Sequence, residues 1–308
     1  MKPVMLGIVG DSAAGKTTLT SGIMRLLGEE RMAVMCTDDY HRYDRAQRRE
    51  LDITPLDVAC NYMDIMAQHL RLLAAGEPIL KPVYLHENGT FGPPQYVVPR
   101  QFTIVEGLLG LSTKAMRDCF ALKVYLDPPE ELRRRWKIER DCTKRGYTEE
   151  QVIADLERRE PDSAAFIRPQ RDAADMVVRF EPANGVIDSA HLSMRLELRP
   201  TMSRRDIVEL AEKASADGCT SLDLTMGGVG EFDELVVSAG ITREETAHVE
   251  SLLWDRMDFD HHLERSDIGT FVEGNRRRHS DTLAIAQLFI AYHLLEAAAG
   301  RGDEPPRT

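Results

Sequence analysis

Val4-Met5-Leu6-Gly7-Ile8-Val9-Gly10-Asp11-Ser12-Ala13-Ala14-Gly15-Lys16-Thr17-Thr18 is the stretch that decides the fold. The run from Val4 to Val9 is apolar without interruption, the pattern of a strand buried on both faces of a parallel sheet. Gly10 to Thr17 then fit G-x-x-x-x-G-K-[ST]. Glycines at those positions let backbone N–H groups wrap around phosphate, and the helix that starts behind them adds partial positive charge. Gly10, Asp11, Ser12, Ala13, Ala14, Gly15, Lys16, Thr17 and Thr18 are therefore the expected nucleotide-binding residues. Lys16 is expected on the β- and γ-phosphates, and Thr17 on Mg²⁺. ATP with Mg²⁺ is the cofactor pair this implies.

Outward from that loop, Lys16–Leu27 reads as a helix and Ala33–Cys36 as a second short strand. Leu56–Ala75 has helical spacing that Gly76 stops. Ile79–Tyr84 reads as extended, and the Gly89, Gly92, Pro93 and Pro94 that follow read as turns. Phe102–Val105, Leu122–Leu126 and Met176–Phe180 read as further strands. Pro128 fits the first turn of the helix carrying EELRRRWKIERD, and Thr148 with Gln151 forms a capping box for another helix. Alternating strands and helices predict an α/β fold with a mostly parallel sheet and helices on both faces, spanning 1–188. A smaller α+β region is expected over 189–300, with a strand at Leu192–Leu198, a helix at Arg204–Ala216, a strand at Ser221–Thr225 and a Gly-rich turn at 227–230. A disordered tail is expected over 301–308.

The bulk numbers narrow the function. The chain has 308 residues, 43% hydrophobic and 29% charged, the balance of a globular protein with a sizeable core. A net charge of −12 argues against a nucleic-acid partner. Five cysteines, none in C-x-x-C, suit free thiols in a cytoplasmic protein. The apolar segment Leu283–Ala299 is broken by Gln287, His293 and Glu296 and falls short of a membrane span, so it reads as a packed helix and no membrane partner is expected.

Three further clusters carry chemistry. Asp38-Asp39-Tyr40-His41-Arg42-Tyr43-Asp44-Arg45 follows the second strand, at the sheet edge where open α/β folds bind ligands. Asp38 there is the candidate base for a hydroxyl proton. Seven basic residues stand between 133 and 145, and Lys137, Arg140, Asp141 and Lys144 share one helical face, suited to a lid over migrating phosphoryl charge. A plain solvated helix explains the same composition. Glu106 ends an apolar strand where a carboxylate orients Mg²⁺.

These segments, in this order, resemble the phosphoribulokinase family, in the branch shared by cyanobacteria, plants and archaea: GDSAAGKTT, DDYHRYDR, KPVYLHENG, VEGL, WKIERDCTKRGYT and PDSAAFIRPQRDAADMVV, over roughly residues 4–180. The resemblance implies a P-loop kinase that phosphorylates a sugar phosphate, ribulose 5-phosphate to ribulose 1,5-bisphosphate, as in the Calvin cycle. It implies Asp38 as base, with Lys137, Arg140 and Asp141 as further catalytic groups. It implies His41, Arg45, Arg48, Tyr84, His86 and Arg145 as substrate-binding residues, and Glu106 with Thr17 at the metal. A homo-oligomer, a dimer, is expected.

The chain departs from the family at Ala14. Photosynthetic relatives carry a cysteine there that pairs with one at the position of Cys36, so that redox switch is expected to be absent. A uridine kinase-like enzyme shares the loop and the lid, but has less need of His41, Arg45 and Arg48 for a second phosphate. A nucleotide-binding regulatory protein without turnover is the reading from another class. In the C-terminal region, Asp255, Asp258, Asp260, His261, His262 and Glu264 form an acidic and histidine cluster with no familiar ligand spacing. Arg276-Arg277-Arg278-His279 reads as a phosphate contact or a solvated helix start.

Overall fold

The continuous apolar runs all become strands. The computed structural model describes residues 2–183, 185, 187–199, 202, 204–228, 231–257 and 267–302. It divides into two compact units: residues 1–16, 30–126 and 133–174 form the first; 17–29, 127–132 and 175–308 form the second.

In the first unit, β1 (Val4–Gly10), β2 (Met32–Cys36), β5 (Phe102–Gly107) and β6 (Leu122–Leu126) form parallel ladders in the order β2-β5-β1-β6. Every residue of β1 is buried, as a strand flanked by neighbours on both edges and covered on both faces must be. The register aligns Ile8 of β1 and Cys36 of β2 with Glu106 of β5, so all three strands deliver their carboxyl ends to one edge. Four further helices belong here: α2 (Arg45–Glu50), α3 (Met63–Ala75), α4 (Lys114–Arg117) and α6 (Glu149–Asp162). Helix α1 (Lys16–Leu27) starts at the loop lysine, and α5 (Glu130–Arg145) carries the basic cluster.

Several expectations shift. The helix predicted from Leu56 starts at Met63, because Val58–Cys60 is a separate 3₁₀ turn capped by Asp57. Pro128 does not enter a helical turn, since α5 begins at Glu130. The Gly/Pro stretch read as turns is mostly strand β4 (Thr90–Val97), which pairs antiparallel with β3 (Ile79–Leu85) in a two-stranded sheet. Prolines are tolerated there because neither strand sits inside a larger sheet. Thr148 does form its capping box with Gln151. Pro161 lies inside α6, and the chain passes directly into a π-helical turn at Ser163–Ile167, a break of the kind proline causes.

In the second unit, β7 (Met176–Pro182), β8 (Leu192–Leu198), β9 (Leu222–Thr225) and β10 (Asp233–Val237) pair antiparallel in the order β7-β8-β10-β9. Helices α7 (Arg204–Ala216) and α8 (Arg243–Arg256) accompany them. The segment at Arg276 is not a helix start: β11 (Thr270–Glu273) and β12 (Arg276–His279) form a hairpin. Two of its arginines have carboxylate partners, Arg277 with Asp267 and Arg278 with Glu273 and Asp188. Helix α9 (Asp281–Gly302) has 22 residues, longer than expected. It is the one described helix long and apolar enough to cross a membrane, yet 72% of its apolar window is buried within the protein, as in a core helix. The cluster at 255–264 lies outside the described residues except for Asp255, the Gly-rich turn at 227–230 is described only at Gly227 and Gly228, and 303–308 lie outside as well.

Candidate active site

The phosphate loop is held from behind. Gly10 has φ +155°, and a Cβ there would lie 2.6 Å from the Leu126 carbonyl oxygen, so only glycine fits. Ala13 sits in the left-handed region at φ 66°, a conformation that a non-glycine residue holds only when its surroundings impose it. The imposing contacts are visible. Lys16 Nζ donates to the carbonyls of Gly10 (2.8 Å) and Asp11 (2.7 Å). Ser12 N donates to Asp11 Oδ1 at 2.8 Å, Ser163 Oγ donates to Asp11 Oδ2, and Arg133 donates to the Ser12 carbonyl at 3.1 Å. The Asp11 side chain thus faces the α5 and α6 region, where Arg133, Lys137, Arg159 and Ser163 line a small cleft with it. Arg133 stands in the basic cluster and Ser163 in the PDSAAF segment, but nothing local in the sequence shows that either one reaches the phosphate loop, 121 and 152 positions away.

Asp38 lies in the 3₁₀ turn Thr37–Tyr40 directly after β2. Its Oδ2 is 3.6 Å from His86 Nε2. Burial would raise its pKa, but the charges of His41, His86, Lys16 and Arg159 outweigh it and hold the carboxyl below its ordinary value. Asp38 is therefore an ionised acceptor at neutral pH. Burial lowers the Lys16 pKa, opposed by the carboxylates of Asp38, Asp11 and Glu106. Lys16, Asp38 and the strand-end Glu106 thus share one electrostatic neighbourhood.

The substrate-binding candidates converge on the same turn. His41 is 3% exposed, its Nδ1 is 2.7 Å from Asn61 Oδ1, and its ring meets Tyr84 edge-on at 4.9 Å. Burial pushes the pKa values of both His41 and His86 down, and the Asp38 carboxylate opposes it in each case. The Tyr84 and His86 rings are 5.1 Å apart. The two arginines differ. Arg48 is 7% exposed and already tied to the protein: it donates to the Tyr43 carbonyl (2.7 Å) and the Tyr84 hydroxyl (2.5 Å). Arg45 is half-buried. Its backbone N–H donates to the Gly89 carbonyl at 2.8 Å and its guanidinium to the His86 carbonyl at 2.5 Å. Gly89 has φ +75°, and a Cβ there would collide with Arg45 at 2.6 Å.

The lid candidates are more internal than a charged exposed helix would be. Lys137 is 1% exposed and bonded to Asp141 (3.0 Å) and Asp155 (3.3 Å). Asp141 also accepts from Arg140 Nε at 2.8 Å and lies 3.3 Å from Arg145. Burial opposes its ionisation, yet those cations bring its pKa down to about 2. The expected shared face is therefore split: Lys137 and Asp141 point inward, Lys144 outward. Among the described residues, Arg140 Nη2 is a buried donor with no hydrogen-bond partner. At the redox position, Ala14 is buried and Cys36 is a free thiol whose pKa burial, Asp38 and Glu106 push well up, which disfavours a reactive thiolate.

Known proteins are similar to this chain. The chain matches the Phosphoribulokinase / Uridine kinase family over residues 5–186. The phosphoribulokinase of Synechocystis sp. is 39% identical over 195 residues, 63% of this chain and 59% of that one. The chloroplastic phosphoribulokinase of Arabidopsis thaliana is 32% identical over 202 residues, 60% of this chain and 51% of that one. A uridine kinase of Lactiplantibacillus plantarum is 31% identical over 186 residues, 58% of this chain and 87% of that one. The chain thus spans 59% of the cyanobacterial relative's length and about half of the plant one's. Among solved structures, phosphoribulokinase from Rhodobacter spheroides matches with a TM-score of 0.61 at 19% identity, over 83% of this chain and 97% of that one, a likeness of fold. The matched residues include the phosphate loop, the Asp38 turn, the β3–β4 hairpin and α5, and on that ground the chain belongs to the Phosphoribulokinase / Uridine kinase family.

Proposed function

We propose that this protein is an ATP-dependent kinase acting on a sugar phosphate, converting ribulose 5-phosphate to ribulose 1,5-bisphosphate. The observation that carries the reading is Asp38, kept ionised beside Lys16 on one side and His41 and His86 on the other. In this reading Asp38 takes the proton of the acceptor hydroxyl as its oxygen bonds to the γ-phosphorus, and the bond to the ADP oxygen breaks. Lys16 leaves its two carbonyl partners for the phosphates. Arg140, with its unpartnered buried donor, and Arg145 face developing phosphoryl charge, where preorganised cations act best. His41, Tyr84, His86 and Arg45 hold the acceptor, Arg45 towards its phosphate. Lys137 and Asp141 keep α5 in place and so act through Arg140.

Among the described residues, no group of three or more His, Cys, Asp or Glu is arranged to hold a metal. That fits Mg²⁺, which takes few protein ligands and completes its shell with water and substrate phosphates. Thr17 and Glu106 are the protein oxygens proposed for it, and the ion would neutralise charge on the β- and γ-phosphates. Residues 1–188 are proposed as the kinase module, 189–300 as a region serving oligomer contacts, and the enzyme as a cytoplasmic homodimer.

The uridine kinase relative supports the second reading. A coupled ADP-release assay over pentose phosphates and nucleosides decides between them. Ribulose 5-phosphate is expected to give the highest kcat/KM. Uridine or cytidine outperforming every sugar phosphate would replace the proposal, and absence of turnover with all of them would favour a regulatory protein.

A further inference from the structure

Strand β3 should alternate inward and outward, with residues 79, 81, 83 and 85 on one face. It does not. Ile79 and Lys81 are buried and Leu80 is exposed, but Tyr84 is the next buried residue and Leu85 is exposed again. The phase slips at a register shift between Lys81 and Val83. Lys81 pairs with Gln95 and Val83 with Gly92, so β4 carries one extra residue there. Such a bulge re-aims the side chains that follow it.

One side chain meets both sides of the slip. Asp39 Oδ2 accepts from Lys81 Nζ at 2.5 Å, before the shift, and Asp39 Oδ1 accepts from the Tyr84 backbone N–H at 2.8 Å, after it. The pair is buried, with side-chain exposures of 5% for Lys81 and 11% for Asp39. A buried charge pair of this kind is a weak source of stability, but an arrangement that separated its partners would leave a buried charge uncompensated. Here the alternative is a regular strand, in which Tyr84 would point away from His41 and Arg48.

We infer that Asp39, with Lys81 as its counterion, is a positioning residue for acceptor binding: it fixes the register shift of the β3–β4 hairpin that places Tyr84 and His86 against the Asp38 turn. The inference rests on the reading above only in naming that side the acceptor's. Other ties of the hairpin, to Asp38, His41, Arg45 and Arg48, run to the same acceptor side, so a hairpin loosened at Asp39 shifts acceptor contacts and leaves the phosphate loop as it was.

The test compares Lys81→Met, Asp39→Asn and the double variant. The double variant removes both charges and replaces the carboxylate that accepts from the Tyr84 N–H by a neutral, weaker amide acceptor. Either single variant strands a buried charge and carries a risk to folding; the double variant does not. For the folded variants, kcat/KM for the acceptor is expected to fall on the order of 10²-fold, the cost of ångström-scale misplacement, with KM for ATP unchanged. Hydrogen exchange over 79–97 should quicken at the Tyr84 amide in the double variant. Wild-type acceptor kinetics and exchange in the double variant would overturn the inference, and so would parallel rises in both KM values. If the wild type uses uridine rather than a sugar phosphate, the proposed function falls while the same split, measured with uridine, still tests Asp39. If it turns over nothing, the exchange rate at Tyr84 alone decides.

Discussion

The phosphate loop and the side proposed to hold the acceptor are built by different means. Residues 10–16 work through backbone: two glycines, a strained Ala13 and a lysine that folds back on its own loop carbonyls within six residues. The acceptor side works through side chains that other side chains place. His41 is set by Asn61, twenty positions on, and Tyr84 by Asp39 and Arg48, 45 and 36 positions back. A site made of local backbone announces itself as a motif. A site made of long-range side-chain contacts looks in the sequence like an ordinary polar loop and an ordinary strand.

The largest test of that contrast removes the group where the two sides meet. Asp38→Asn is expected to keep ATP binding and to lower kcat by about two to four orders of magnitude, the usual worth of a general base. Near-normal kcat, read in the ADP-release assay, would move the base elsewhere.

Next in size is the division of labour between the arginines. Arg45→Lys is expected to raise KM for the acceptor by roughly 10- to 150-fold, the loss of a charge-assisted contact of about 1.5–3 kcal/mol, with KM for ATP unaltered. Arg48→Lys should show first as a loss of stability in denaturant unfolding, because its guanidinium holds Tyr43 and Tyr84. Intact stability with a raised acceptor KM would give Arg48 the ligand role and break the distinction drawn here.

The smallest effect concerns the α5 network. Asp141 has its folded-state pKa at about 2, below the 3.8 of an unperturbed aspartate. A depressed carboxylate pKa stabilises the fold above the unfolded value, and that stability is lost as pH falls through the folded value. Asp141 should therefore contribute roughly 2 kcal/mol at neutral pH that disappears between about pH 4 and pH 2. Urea unfolding of the wild type and Asp141→Asn across that range would show the two converging as the pH falls. A constant difference would mean that Asp141 acts through packing rather than charge.

How much could be read beforehand follows the same line. The strands β1, β2, β5 and β6 were legible because strands covered on both faces are mostly apolar, with Thr103 and Lys123 as interruptions, and the Thr148 capping box because it is local. Strand β4 was not, because Gly92, Pro93 and Pro94 signal turns unless the edge they lie on is known to be free. Lys137 and Lys144 share a helical face in projection, yet only the packing of α6 makes one internal and the other solvated.

By itself, then, the sequence determined the nucleotide loop, the carboxyl edge of the parallel sheet and the placement of Asp38 on it. Each follows from interactions within a few residues or from one-dimensional apolar patterning. Tertiary structure alone decided which cations remain available and which are consumed as scaffold, and how β3 slips to aim Tyr84. A lysine or arginine carries the same charge in sequence wherever it stands. Whether that charge meets a buried carboxylate such as Asp39 or Asp141, or is left for a ligand, depends on partners brought together from distant parts of the chain.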